Sequence, residues 1–248
     1  SSKPGAPRVP APVQIERITL GLAAARPYDV LVSIDTADPE VAHFALGNGA
    51  HIINDVTCLS DPELASVVAR HEGYLLLSHA RGHQSQMSGF SEWPDDAYAD
   101  VAAEVRAELE RTRELAVSRG VRRDRVWFDP GLGFSKNARH SLELLRRVGE
   151  LGRDGTPLCV GTGRKSFIGK LMQERAPRPA SGKTAEEAAG KPAGEQAVAY
   201  GPADRLGGTI AASLWASRQG AQIVRVHDVA EVRQALIVEA ALTEAGAP

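Results

Sequence analysis

Residues 157–169 read PLCVGTGRKSFIG, an apolar run followed by two glycines, two adjacent cations and a serine. The apolar run is short enough for a buried strand, and the serine can open a helix. Exposed N–H groups at the start of a helix favour anions. The stretch therefore predicts a strand, a turn and a helix that together form a site for a phosphate or a carboxylate.

The same stretch is not a nucleotide-binding P-loop. That motif needs a glycine, four residues, a second glycine and then Lys with Ser or Thr. Cys159 and Arg164 occupy the two glycine positions here. Their side chains would keep the backbone from wrapping around phosphates, so we exclude a nucleotide triphosphatase at this point. A cationic surface turn is the other interpretation.

Composition narrows the class of protein. The chain has 248 residues, a formal net charge of −2 and 43% hydrophobic residues, which suits one large domain or two small ones. The near-neutral charge argues against a nucleic-acid partner. The sequence has no apolar run long enough to span a membrane, so we expect no membrane partner. Cys58 and Cys159 lack the spacing of a zinc site or a disulfide framework, which favours apolar packing in a reducing cytoplasm.

Apolar segments alternate with helical patterns along the chain. This alternation predicts parallel βα units, either covered by helices on both faces or closed into a barrel. The predicted strands are 30–35, 51–55, 74–79, 125–129, 158–161 and 223–227. The predicted helices are 13–22, 39–47, 62–71, 95–119, 138–151 and 205–219.

A shift in composition interrupts one of these units. Residues from about 174 to 203 are rich in Ala, Gly, Pro, Lys and Glu and carry little apolar surface to offset their ordering entropy. We expect a flexible insertion on the loop side, with a partner-binding arm as the alternative. Arg205, just beyond it, is interpreted as an exposed helix charge.

Polar residues stand at or just beyond the carboxyl end of every predicted strand. In parallel α/β folds that end is where ligands bind. Asp55 follows Asn54 and should point to the opposite face of its strand, which favours a structural hydrogen-bonding role. The polar residues are Asp35, Asn54, Asp55, His79, Asp129, Arg164, Lys165, Arg225 and His227.

Five motifs make the chain resemble the dihydropteroate synthases, the folate-pathway transferases that sulfonamides inhibit. They follow the order and spacing of that family along nearly the whole chain. The motifs are SIDT at 33–36, IIND at 52–55, FDPGLGFSK at 128–136, VGTGRKS at 160–166 and RVHD at 225–228.

The resemblance implies a TIM (β/α)8 barrel of the pterin-binding type, with six of its eight strands visible in this sequence. It implies the condensation of 6-hydroxymethyl-7,8-dihydropterin pyrophosphate with para-aminobenzoate, which gives 7,8-dihydropteroate and pyrophosphate. Mg²⁺ is the implied cofactor, sulfonamides are the implied inhibitors, and a cytoplasmic homodimer is the implied form.

The resemblance also implies roles for individual residues. The pterin would be bound by Asp35, Asn54, Asp129, Gly161 and Lys165, the pyrophosphate by Arg225 and His227, and the aminobenzoate by Ser166, Phe134, Lys136 and Lys3. Of these residues, Asp35, Lys165 and Arg225 would also be catalytic.

The chain departs from the family pattern at its beginning. Counterparts of the first two βα units are missing, so we expect one barrel domain over residues 1–248 that lacks its N-terminal part, about sixty residues at roughly thirty per unit. The family's Mg²⁺ ligand belongs to the missing first loop, so no metal ligand is expected in this chain. Lys3 replaces an arginine and cannot bind an anion with a bidentate fork.

Two other functions are left open. A Schiff-base aldolase would use Lys165, with Arg164 next to it lowering the pKa of the lysine. A non-catalytic barrel fragment would keep the pterin-binding residues without turning over substrate. A pterin-binding methyltransferase is a further relative in fold, but Arg164-Lys165-Ser166 and Arg225-Val226-His227 favour a pyrophosphate substrate.

Overall fold

Strands and helices alternate along the chain in a computed structural model that describes residues 9–82, 91–175 and 200–245. The strands are β1 (Ser33–Asp35), β2 (Ile52–Asp55), β3 (Tyr74–Ser78), β4 (Val126–Asp129), β5 (Cys159–Gly161) and β6 (Ile223–Arg225). The helices are α1 (Ala11–Ala25), α2 (Pro39–Gly47), α3 (Glu63–Arg70), α4 (Val101–Ser118), α5 (Ala138–Arg146), α6 (Ser166–Arg175), α7 (Leu206–Arg218) and α8 (Val229–Ala245).

The strands pair in parallel and in chain order. β1 to β4 form one sheet, and β5 pairs with β6. A parallel bridge between Phe128 and Leu158 joins the two groups. The order of the strands along the wall is therefore the order of the sequence, as repeated right-handed βα units require.

The wall is strongly curved. In a flat sheet β1 and β6 would lie about 24 Å apart, because they are separated by five strand spacings of about 4.8 Å. Yet Nη1 of Arg225 on β6 lies 3.4 Å from Oδ2 of Asp35 on β1. The six strands thus bend round a common interior, which confirms the predicted barrel architecture for the described part of the chain.

Side chains alternate between the two faces of this wall. Ile52, Leu76, Cys159 and Trp127 form a small apolar cluster on the concave face. They line part of a cavity of about 480 Å³. The residue two positions further along each strand must share that face. Those residues are Asn54, Ser78 and Asp129, which are polar, and Gly161, which has no side chain. The interior is therefore apolar along the middle of the strands and polar at their carboxyl ends, where the barrel opens.

The convex face of the wall packs against the helices. Ile53, Leu75 and Phe128 point outward from the strands, and Leu109 of α4 and Leu144 of α5 cover them; all five side chains are fully buried. This outer core supplies most of the apolar burial and holds the strand ends in place.

Most predicted elements are confirmed, and the differences lie at their ends. Asp38 caps α2 through the N–H of Glu40, as the sequence predicts. The long helix begins at Val101 and not near residue 95, because Asp100 accepts hydrogen bonds from the N–H groups of Ala102 and Ala103. The helix predicted over 138–151 stops at Arg146, and a 3₁₀ turn follows over Val148–Gly152.

The predicted insertion overlaps the end of α6, since Glu174 and Arg175 are helical. Its other end overlaps a 3₁₀ turn over Pro202–Arg205. Residues 176–199 lie outside the described residues. None of the helices in the described segments combines the length and apolar character that a membrane crossing requires.

We predict that Leu109→Ala lowers the free energy of unfolding by about 2–5 kcal/mol, because it leaves a cavity under the wall. Leu115→Ala on the same helix is the matched control, since that side chain is 36% exposed, and it should cost less than about 1 kcal/mol. Urea unfolding of both variants measures this. Equal losses would contradict the assignment of the outer core.

Candidate active site

Three residues from separate segments meet around Gly161, the last residue of β5. A Cβ at this position would lie 3.3 Å from Nη2 of Arg225, 3.5 Å from Oδ2 of Asp129 and 3.6 Å from Cε of Lys165. Glycine leaves the space that these three groups share. The structure therefore brings together four of the residues expected to bind substrate.

The carboxylates and the amide of the site come from neighbouring strand ends. The side-chain amide of Asn54 donates to Oδ1 of Asp35, and the hydroxyl of Ser78 donates to Oδ1 of Asn54 at 3.3 Å. Asp129 is 2% exposed, and its Oδ1 accepts from the N–H of Gly131 at 2.7 Å. These contacts orient the polar groups toward the interior.

Arg225 neutralises both carboxylates. Its Nη1 lies 3.4 Å from Oδ2 of Asp35 and its Nη2 lies 3.7 Å from Oδ2 of Asp129. Its buried Nε has no hydrogen-bond partner among the described residues. An unpartnered buried donor is costly, and a bound anion would satisfy it.

Lys165 is the second cation of the site. Burial lowers its pKa to about 8, an effect that the negative charge of Asp129 opposes and the positive charge of Arg225 reinforces. Its Nζ lies 5.1 Å from the centre of the Phe134 ring. Lys165 therefore stands between the polar cluster and an aromatic wall.

Arg164 pairs with a carboxylate that follows β6. Its guanidinium forms a hydrogen-bonded ion pair with Asp228, with Nε 2.9 Å from Oδ2. Arg205 donates to the carbonyl of Arg164 at 3.0 Å and to that of Tyr200. The interpretation of Arg205 as an exposed helix charge is therefore wrong, because the side chain bridges two loops at the mouth of the barrel.

A second group of residues lies beside Lys165 at the start of α6. The hydroxyl of Ser166 is 2.7 Å from the hydroxyl of Ser91, and the N–H of Ser91 donates to the carbonyl of Gly133. Phe134 is 4% exposed and adjoins this pair through the same loop. Two hydroxyls, an aromatic ring and a helix start thus share one side of the site.

The remaining predicted residues have different positions. His227 is exposed and packs so closely on Gly163 that a Cβ there would lie 2.8 Å from its Nδ1. Lys136 is fully buried, and its Nζ contacts Nδ1 of His79 and backbone carbonyls. Lys3 lies outside the described residues. Asp55 accepts from Thr57 and Leu59, which confirms its structural role.

Sequence reasoning gave no role to Ser78, Ser91 or Asp228. Ser78 could have been found by the period of two, since it ends β3 on the concave face. Asp228 adjoins His227, but its pairing with Arg164 is not encoded in local spacing. Ser91 depends on a long loop whose path no pattern predicts.

The described residues show no preformed cluster of metal ligands. No group of three or more His, Cys, Asp or Glu side chains with metal-binding geometry occurs within residues 9–82, 91–175 and 200–245. The Mg²⁺ cofactor stays a prediction.

Two carboxylates, an amide and two cations at the carboxyl ends of parallel strands define a barrel protein that binds a polar ligand with an anionic part. Residues 1–227 match the family model described as pterin binding enzyme. The chain is 33% identical to the dihydropteroate synthase of Escherichia coli K12 over 98% of this chain and 76% of that protein.

Solved structures agree with the sequence comparison. The dihydropteroate synthase of Burkholderia cenocepacia, complexed with 7,8-dihydropteroate, has a TM-score of 0.80 and 33% identity, covering 99% of this chain and 79% of that chain. That of Yersinia pestis, in a sulfonamide drug complex, has a TM-score of 0.80 and 29% identity, covering 99% and 78%. The chain belongs to the pterin-binding enzyme family and, within it, to the dihydropteroate synthases.

We predict that Lys165 titrates near pH 8, so that it is mostly charged below this pH and mostly neutral above it. The pH dependence of its modification by an amine-specific reagent, read by mass spectrometry, measures this. Asp129→Asn should lower the midpoint further, because it removes a charge that raises the pKa of Lys165. A midpoint near the ordinary lysine value of 10.5 would contradict the buried environment.

Proposed function

We propose that this chain carries the substrate-binding residues that condense 6-hydroxymethyl-7,8-dihydropterin pyrophosphate with para-aminobenzoate, giving 7,8-dihydropteroate and pyrophosphate. The main support is the convergence of three segments around Gly161, which brings together Asp129, Lys165 and Arg225. Membership of the dihydropteroate synthases supports the same reaction.

We assign the pterin ring to the polar cluster at the strand ends. The edge of a pterin offers a row of donors and acceptors that a buried carboxylate and an amide can bind directionally. Asp129 and Asn54 supply these groups, and Ser78 fixes the orientation of Asn54. Lys165 adds a donor from the opposite side, and Gly161 leaves the space.

We assign the pyrophosphate to the cationic side. The unpartnered Nε of Arg225 is a donor that a phosphate oxygen would satisfy. His227 stands two residues beyond Arg225, beside Gly163 at the turn into α6. The N–H groups at the start of α6 favour an anion as well.

We assign the aminobenzoate to the group at the start of α6. The Ser166 hydroxyl can donate to its carboxylate, and the ring of Phe134 offers an aromatic wall 5.1 Å from Lys165 Nζ. Sulfonamides resemble this substrate in shape and would compete for the same place.

The reaction breaks one bond and forms another. The C–O bond to the pyrophosphate breaks, and both of its electrons leave with the pyrophosphate oxygen. The negative charge of Asp35 stabilises the cation that develops on the pterin methylene. The aminobenzoate nitrogen then donates its electron pair to this carbon and loses one proton. No covalent intermediate with the protein is needed.

Mg²⁺ remains a proposed cofactor, which would neutralise charge on the departing pyrophosphate when bound. The homodimer and the cytoplasmic location also remain predictions. Light scattering of the purified protein measures its mass in solution, and a monomer at micromolar concentration would contradict the dimer.

The aldolase alternative draws on one observation, the lowered pKa of Lys165. The aldolase hypothesis attributes the lowered pKa of Lys165 to Arg164. Arg164 pairs with Asp228 instead, and burial and Arg225 lower the pKa of the lysine. Borohydride trapping of a carbonyl substrate on Lys165 would favour the aldolase. Binding of pterin pyrophosphate without turnover would favour the non-catalytic fragment.

We predict that Asp129→Asn weakens binding of pterin pyrophosphate about 10- to 100-fold, since a buried directional acceptor is replaced by a group that also donates. Calorimetry measures the dissociation constant, and a coupled pyrophosphate assay measures turnover. Asp124→Asn is the matched control, because this exposed carboxylate precedes the same strand and pairs with Arg122 on the surface.

The control should bind as the wild type does. Equal affinity of the wild type and Asp129→Asn would remove Asp129 from the pterin site.

A further inference from the structure

We propose that Lys136 is a positioning residue, which together with His79 fixes the loop after β4 so that Phe134 lies against Lys165. This role rests on the proposed function, because Phe134 forms the wall assigned to the aminobenzoate. It differs from the expectation that Lys136 itself contacts that substrate.

The amino group of Lys136 is surrounded by acceptors. Nζ lies 2.8 Å from Nδ1 of His79, 3.1 Å from the carbonyl oxygen of Phe134 and 3.3 Å from that of Gly131. Burial lowers the pKa of Lys136 to about 7, an effect that the charge of Asp129 opposes. In the charged form the ammonium group has three protons, one for each of these three acceptors. The side chain is fully buried, so the contacts are shielded from water.

Glu108 determines which nitrogen of His79 faces the lysine. Nε2 of His79 lies 2.9 Å from a carboxylate oxygen of Glu108 on α4. A carboxylate accepts only, so Nε2 carries the proton and Nδ1 is left as an acceptor for Lys136. Burial and the charge of Lys136 lower the pKa of His79 to about 4, which keeps the ring neutral at neutral pH.

Arg81 holds Glu108 in turn. Its guanidinium donates to both oxygens of Glu108 and to Glu104 on the preceding turn of α4. Its backbone N–H donates to the Ser135 hydroxyl at 2.8 Å. Two sets of contacts therefore hold the loop after β4. In one, Glu108 of α4 binds His79, which binds Lys136; in the other, Arg81 binds Ser135.

The loop after β4 needs such restraint. Gly131, Gly133 and Ser135 have positive φ values of 65°, 86° and 44°, and a non-glycine residue in that region costs free energy. Tyr98 donates to the Ser135 carbonyl at 2.9 Å. Lys136 binds the carbonyls of Gly131 and Phe134. Loss of the Lys136 amino group would therefore release Phe134, the residue whose ring faces Lys165.

The test compares Lys136→Met with the wild type in the purified protein. The variant keeps the length of the side chain and removes its donors. We expect the KM for para-aminobenzoate to rise at least about tenfold, while the dissociation constant for pterin pyrophosphate changes less than about threefold. A purely structural lesion would weaken both substrates together, and that result would overturn the proposal.

Glu108→Gln provides a second variant in case Lys136→Met does not fold. Its amide can donate to Nε2 of His79, which would move the ring proton to Nδ1 and oppose Lys136. We expect a selective rise of about threefold in the aminobenzoate KM. Glu110→Gln, also on α4 and paired with Arg106, is the matched control and should leave both constants unchanged.

A spectroscopic measurement tests the contact without any assay. ¹⁵N chemical shifts of His79 in the wild type should report a neutral ring with its proton on Nε2 from pH 6 to 8. A proton on Nδ1 would overturn the proposal. Absence of turnover in the wild type would remove the proposed function and this role with it, whereas turnover with an unchanged KM in both variants would remove this role alone.

Discussion

The contact of Arg225 with Asp35 and Asp129 is the constraint on which the site depends. It spans the interior from the last strand to the first and the fourth, so it exists only because the wall of strands is curved. Asp129 is buried, and a buried carboxylate without a cation would be costly. The guanidinium offsets that cost. Nε of Arg225 has no hydrogen-bond partner among the described residues. It is therefore a donor to which an anionic ligand could bind.

The fold could be predicted from the sequence because two periodic signals agree. Apolar runs such as Leu75–Leu77 mark buried strands, and capped segments such as the one after Asp38 mark helices. The carboxyl ends of parallel strands converge by topology alone, so grouping Asp35, Asn54 and Asp129 needed no knowledge of distances. Family motifs then added the roles of Lys165 and Arg225.

The rest depends on contacts between distant segments, which spacing does not encode. A lysine next to Phe134 and Ser135 has the composition of a ligand-binding group, yet Lys136 points into the protein because His79 and two carbonyls accept its protons. His79 directly follows the end of β3, but its ring lies between Lys136 and Glu108. Direction of the side chain, not residue type, decides these roles.

The site thus consists of a polar cluster that neutralises its own charges and a restrained loop beside it. A crystal structure of this chain with 7,8-dihydropteroate bound would test this account most directly. We predict that the pterin ring lies against Asp129 and Asn54 beside Gly161, with the benzoate end reaching Phe134 and Ser166. A product bound elsewhere, with Arg225 still paired only to its two carboxylates, would contradict it.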